Sequence, residues 1–318
     1  MSEAAPMIHT HELMERLVTQ QKAVLELAEH LSLLVGDTEQ READSATPTG
    51  AEPRVVVRCL GPFVLRIDGA EVETGRPTRA LGLLQYLLVH RTRPVSREVL
   101  IEDLWPDPEA LAARSSLKVA MHALRHFLSS VGTDHARLSI HASSLGYQLS
   151  VRDVWLDAEA FEWHAREAIR LDNIGRCDEA TTHYSQATRL YRGDFLEGSV
   201  ADWAILRREA LKDQFLFVLA RLAEMSFARK DYRACVLHCQ RLLQFDACRE
   251  DTYRMLLRAH GRLGQRTRVQ SWYALCERNL RVALDVTPEP ATREVYRQAL
   301  ALSSISPALA MTVSAVAL

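Results

Sequence analysis

Ser115, Lys118, His122 and Arg125 stand at i, i+3, i+7 and i+10, the spacing that lines side chains along one face of an α-helix. All four carry hydrogen-bonding groups, and Lys and Arg can donate to guanine N7 and O6 in a DNA major groove. Leu117, Met121, Leu124 and Leu128 recur at i, i+4, i+7 and i+11 and form a second, apolar face. Residues 114–128 thus read as one amphipathic helix with a side to dock and a side to present. The plainer reading of the same pattern is a surface helix with solvated charges. The neighbouring elements favour the first.

Those elements must position the helix, and they read as a winged helix. Residues 54–60 and 63–67 are short β-prone runs, and Asp68-Gly69 is a strong turn signal. A first helix is predicted at about residues 79–90, capped by Thr78, with Leu81, Leu84, Leu87 and Leu88 inward. Pro94 breaks it. Ser96 can cap a second helix through Val99, Leu100 and Leu104 to Trp105. Pro106 and Pro108 lack the amide donor, so residues 105–108 read as the loop before the presenting helix. After that helix, residues 137–141 and 146–150 alternate like the strands of a hairpin with Ser143 and Ser144 at its tip. Strands, three helices and a hairpin in this order describe an OmpR-type winged helix.

The motifs are specific at this point. Residues 90–107, HRTRPVSREVLIEDLWPD, resemble the "RPVSR…L…LWP" signature of the Streptomyces antibiotic regulatory proteins. Residues 113–125, ARSSLKVAMHALR, are similar to that family's recognition helix, with Ser115 where Asn is usual. LGYQL, residues 145–149, resembles the "GGYxL" wing strand, with Leu145 at the first glycine. The resemblance runs from about Val55 to Leu300. It implies a bacterial transcriptional activator domain after the winged helix, binding to promoter repeats, and contact with RNA polymerase including its sigma factor. Position in such a fold adds Arg114, Ser144 and Tyr147 as candidates for DNA backbone and minor-groove contacts.

From Asp157 to Leu300 the pattern is almost wholly helical. Residues 219–246 recur weakly at 253–280, an offset of about 34 residues, the tetratricopeptide period. Leu219 aligns with Tyr253, Leu222 with Leu256, and Tyr273 sits on the second helix of its pair. Residues 178–194 have the same second-helix texture. The run 191–196 followed by Asp202-Trp203 resembles the activator domain's lead into a long central helix. Helix pairs of this kind bury their apolar faces against one another and stack into a scaffold for binding.

Composition narrows the function classes. The 318-residue chain has a net charge of −2, so DNA affinity must come from a local surface. Within residues 54–153, 13 Lys plus Arg stand against 10 Asp plus Glu, a slight local excess. No run approaches the roughly 18 apolar residues of a spanning helix, so no membrane role is expected. No export signal opens the sequence. Together with the resemblance, this makes a cytoplasmic, nucleoid-associated bacterial protein the expectation. The six cysteines (59, 177, 235, 239, 248 and 276) read as reduced residues. Cys235 and Cys239 share a helix face, yet His238 points elsewhere and no CxxC lies at zinc spacing, so neither a metal nor a redox centre is expected. His122 and His126 read as groove contacts or surface residues rather than ligands. There is no GxxxxGK[ST] loop, no GxSxG and no dinucleotide-binding glycine turn. No enzyme activity, no cofactor and no metal site are expected, and the first 53 residues are too few for a phosphorylatable receiver domain.

Residues 10–34 fit a heptad register, with Thr10, Leu17, Val24 and Leu31 at a and Leu13, Gln20, Leu27 and Leu34 at d. They read as a coiled coil that makes the protein a homo-oligomer, or as an amphipathic helix docked on its own chain. The expected fold class is mainly α with a small β component. The expected map is an N-terminal helix over 1–35, a flexible linker over 36–53 and a winged helix over 54–153. A tetratricopeptide-like activator domain over 154–300 and a tail over 301–318 follow. The function read from these features is a DNA-binding transcriptional regulator on double-stranded promoter DNA, an activator. A repressor of the same architecture, and an interaction adaptor with vestigial DNA binding, are the alternatives.

Overall fold

The computed structural model describes residues 55–74, 78–106, 110–131 and 138–303. The heptad segment, the linker and the C-terminal tail lie outside the described residues.

Three short strands open the fold: β1 (Val55–Arg58), β2 (Val64–Ile67) and β3 (Ala70–Val72). Val55 and Val57 point into the core, as do Leu65 and Ile67, while the alternate residues face outward. β1 pairs antiparallel with β2, and β2 with β3. Asp68 and Gly69 form the two-residue loop of the β2–β3 hairpin, both at positive φ (49° and 82°). That geometry selects Asp-Gly because it needs two left-handed residues in succession.

Three helices follow: α1 (Arg79–Val89), α2 (Arg97–Leu104) and α3 (Ala110–Ser130). Thr78 Oγ1 accepts from the Leu81 amide at 3.2 Å, and Ser96 Oγ accepts from the Val99 amide at 3.2 Å. These satisfy otherwise orphaned donors at the two helix starts. α1 buries Leu83, Leu84, Leu87 and Leu88, so Leu83 belongs to the inward set and Leu81 is only half-buried. Val99 of α2 faces solvent, whereas Leu100 is fully buried.

The wing is β4 (Leu138–Ser143) paired antiparallel with β5 (Gly146–Val151), with Ser144 and Leu145 at its turn. The turn is tightened by the Leu145 amide donating to Ser143 Oγ at 3.2 Å. A sixth strand, β6 (Val154–Leu156), then runs parallel to β1, with Val55 opposite Val154 and Val57 opposite Leu156. The sequence reading assigned residues 154–156 to the helical half. Here they close the N-terminal sheet in the order β3-β2-β1-β6.

The rest is helical: α4 (Asp157–Asn173), α5 (Cys177–Leu190), α6 (Asp202–Ala228), α7 (Tyr232–Phe245), α8 (Glu250–Arg262), α9 (Arg266–Leu284) and α10 (Pro290–Ser303). The repeat spacing is visible in the backbone. α7 and α9 begin 34 residues apart, and the turns before them place Lys230 (φ 64°) and Gly264 (φ 69°) in the left-handed region. Leu219 and Tyr253 are fully buried, as are Leu222 and Leu256. The aligned positions therefore fill equivalent places between stacked pairs. Cys235 and Cys239 are buried, and all six cysteines are free thiols.

Candidate nucleic-acid interface

α3 has one side in the core and one in solvent. Leu117, Ala120, Met121, Leu124 and Leu128 are all buried, in one cluster with Leu83, Leu84 and Leu87 of α1, Leu100 of α2, and Leu138 and Leu149 of the wing. The opposite side presents Arg114, Ser115, Lys118, His122 and Arg125, every one exposed. The faces read from spacing are the faces observed. A residue that the sequence reading did not single out stands among them. Val119 is 70% exposed, on the same side as Ser115 and His122. It is an aliphatic side chain left largely in solvent beside Lys118 and His122. The signal for it was present, since Val119 falls outside the buried stripe.

The wing is fixed to the helical core rather than left as a free hairpin. Val95 and Tyr147 exchange both backbone hydrogen bonds at 2.8 Å. Gln148 Nε2 donates to the Arg91 carbonyl at 3.0 Å. Gly146, at φ 128°, lies so near this bridge that a Cβ would sit 2.0 Å from the Val95 oxygen. Only glycine permits the approach. Tyr147 is half-buried, with the Arg97 guanidinium 5.6 Å from its ring centroid, a cation–π contact that sequence reasoning missed. Tyr147 thus ties the wing to the start of α2, while Ser144 is exposed at the tip.

Behind this surface, the sheet is locked to the helical module. Asp157, the first residue of α4, is buried and accepts from the Cys59 amide at 2.8 Å, the Leu60 amide at 3.0 Å and the Ala158 amide at 2.8 Å. The Cys59 thiol donates to it as well, at 3.1 Å. Burial pushes the Asp157 carboxyl up and these donors pull it back; burial pushes the Cys59 thiol well up, and the neighbouring carboxylate adds to that. Residues 194–197 complete the seam: the Leu196 amide donates to the Cys59 carbonyl at 2.7 Å and the Gly61 amide to the Asp194 carbonyl at 3.0 Å. Arg91 forms a bidentate pair with Glu159 at 2.6 and 2.7 Å. Trp203 of α6 packs edge-on against Tyr86 of α1, centroids 5.0 Å apart, and the Tyr86 hydroxyl donates to Asp103 of α2.

The helical module has an open groove of about 420 Å³ lined in part by Phe217, Arg221, Glu224 and Arg249. Its cations are matched from within. Arg221 pairs with Asp172 at 2.6 Å and Glu224 at 2.5 Å, and Arg249 with Asp251 at 2.9 Å. The Arg221 guanidinium holds the Asp172 carboxyl below the usual carboxylate range. No described helix is long and apolar enough to cross a membrane.

Two family models and several known proteins match the chain. Residues 73–149 match the family model "Transcriptional regulatory protein, C terminal", and residues 156–300 match "Bacterial transcriptional activator domain". The chain is 28% identical over 261 residues to the transcriptional regulatory protein EmbR of Mycobacterium tuberculosis, covering 81% of this chain and 66% of that protein. It is 29% identical over 145 residues to the regulatory protein DnrI of Streptomyces peucetius, covering 44% of this chain and 53% of that protein. The chain thus spans just under two thirds of the length of EmbR. The solved structure of M. tuberculosis EmbR in complex with a low affinity phosphopeptide superposes with a TM-score of 0.62 at 25% identity, covering 83% of this chain and 71% of that one. An OmpR-type domain and an activator domain in succession, with similarity to both EmbR and DnrI, support a transcriptional regulator of the Streptomyces antibiotic regulatory protein family.

Proposed function

We propose that this chain binds double-stranded promoter DNA by laying α3 in the major groove, and activates transcription by contact with RNA polymerase, including its sigma factor. The observation that carries the DNA reading is the polarity of α3. Its apolar stripe is anchored in the core, while Ser115, Lys118, His122 and Arg125 project together from a rigid support. Arg125 reads a base, Lys118 meets phosphate, Arg114 and Ser144 contact the backbone, and Val119 packs on a thymine methyl. Tyr147 acts from beneath, holding the wing in reach. The protein works in the bacterial cytoplasm, as a homo-oligomer on repeated sites, and does no chemistry on its DNA.

Activation, rather than repression, is the reading supported by the match of the helical module to a bacterial transcriptional activator domain, and its stacked helix pairs offer a surface to a protein partner. The domain assignments proposed are 54–156 for the winged helix, β6 included, and 157–300 for the activator domain. The test is selection from random duplex DNA with the full chain, then transcription from the selected site with and without it. Enrichment of one repeated motif, with transcription raised, is the expected result. Recovery of no motif removes α3 from the groove, and lowered transcription from an enriched motif makes the protein a repressor.

A further inference from the structure

The first helix pair of the activator domain holds two imidazoles that DNA reading does not use. His164 on α4 and His183 on α5 face one another with their Nδ1 atoms 3.0 Å apart. Their ring centroids are 5.1 Å apart and the planes inclined at 45°. Both are half-buried. Trp163 lies against both, 4.8 Å from the His164 centroid and 5.3 Å from that of His183, and is itself 53% exposed.

Two ring nitrogens at this separation can share a proton or share a metal ion. Metal–imidazole bonds are about 2.0–2.1 Å long, so nitrogens 3.0 Å apart subtend about 94° at an ion between them. That is near the right angle of a square-planar or tetragonal centre and well short of a tetrahedral one. Tetragonal nitrogen and oxygen sites are the preference of Cu(II) and Ni(II), and imidazole suits both. We propose that His164 and His183 form a two-imidazole site for a divalent transition-metal ion of tetragonal preference, Ni(II) or Cu(II), clipping α4 to α5.

Each ring would bind through Nδ1 and keep its one proton on Nε2. Loading then takes a change of tautomer at the ring whose Nδ1 carries the hydrogen-bonded proton. Glu167, one turn along α4, lies within electrostatic reach of His183 but is held by Arg170 at 2.8 and 2.5 Å. Among the described residues no group of three or more His, Cys, Asp or Glu converges for a metal. Solvent fills the remaining positions, which makes the site exchangeable rather than a structural cage.

The probe is Ni(II) chloride titrated into the full chain while tryptophan fluorescence is followed. Because Trp163 touches both rings, an ion there quenches it. The expected result is saturable quenching by one ion per chain, with the midpoint raised at least tenfold in both His164→Gln and His183→Gln. The sequence has another closely spaced pair, His9 and His11; replacing both by Gln should leave the quenching of Trp163 unchanged. Trp163→Phe should lose the quenching yet still bind one ion by calorimetry, since both ligands remain. Absence of saturable quenching in the wild type, or quenching of equal midpoint in His164→Gln or His183→Gln, overturns the site. Should a Gln variant fail to fold, the melting temperature of the wild type decides: it should rise with Ni(II), and no rise overturns the proposal.

Discussion

Arg125, Lys118 and Val119 sit on one exposed face, but each should fail differently when removed. Arg125→Ala should cost roughly 1–3 kcal/mol on the preferred site and relax selectivity at one base position, because a bidentate base contact is lost. Lys118→Ala should weaken all sequences alike and reduce the salt slope by about one, the mark of a single phosphate contact. Binding isotherms at several salt concentrations separate the two, and equal affinity of both variants and the wild type would take α3 out of the groove. For Val119 the contrast lies in the DNA. Deoxyuridine in place of thymidine should weaken the wild type but leave Val119→Ala indifferent, since both changes remove the same methyl contact. At this scale the sequence was legible wherever the period of one helix decided the matter. The exposed set and the buried set of α3 both follow from a stripe within fifteen residues. Tyr147 was legible as a position but not in its role, because the Arg97 that meets its ring lies fifty residues earlier and on another element.

The elements tell a similar story, with caps and turns on one side and long-range pairing on the other. Thr78, Ser96 and Asp68-Gly69 each declare an element boundary through chemistry within three residues, and all three stand where spacing placed them. β6 was hidden because three residues have no period of their own and their partner is β1, nearly a hundred residues away. The same distance hid Asp157, which reads in sequence as an ordinary acidic start to a helix. Asp157→Ala should leave the buried Cys59 and Leu60 amides without acceptors, at about 1–3 kcal/mol for each unsatisfied group. Urea unfolding measures this, and a loss of less than about 1 kcal/mol would mean that water replaces the carboxylate. A related expectation concerns fragments. One ending at 153 lacks β6 and Asp157, whereas one ending at 160 keeps both. The longer fragment should unfold at a higher temperature and hold DNA more tightly; identical melting curves would make β6 dispensable.

Across the whole molecule, His90, His164, His238 and His260 are all pushed below the ordinary imidazole range, by burial first in each case. The unfolded chain takes up protons at these sites near the usual imidazole value, about 6.5, and the native chain refuses them until lower pH. Stability is therefore fully present above that value and is lost as pH falls through the window, which for His164 extends down to about 4. Each group contributes at most about 1.4 kcal/mol per pH unit, less where solvent reaches it. Asp157, held high by burial, acts in the opposite direction, but it is one group against four. Melting temperature should fall between pH 7 and pH 5, and His164→Gln should show a shallower slope; a flat profile would contradict the burial of these rings. β6 has a further consequence, in time rather than in energy. During synthesis at about 5–20 residues per second, β1 leaves the ribosome roughly 5–20 seconds before the strand that must lie beside it. For that interval one edge of the young sheet has no partner, and an open edge invites pairing with another chain. The sheet of the DNA reader thus stays open at one edge until its own last strand, β6, has been made. A transcript broken before residue 154 should therefore yield a product prone to aggregate rather than a short competitor for the promoter.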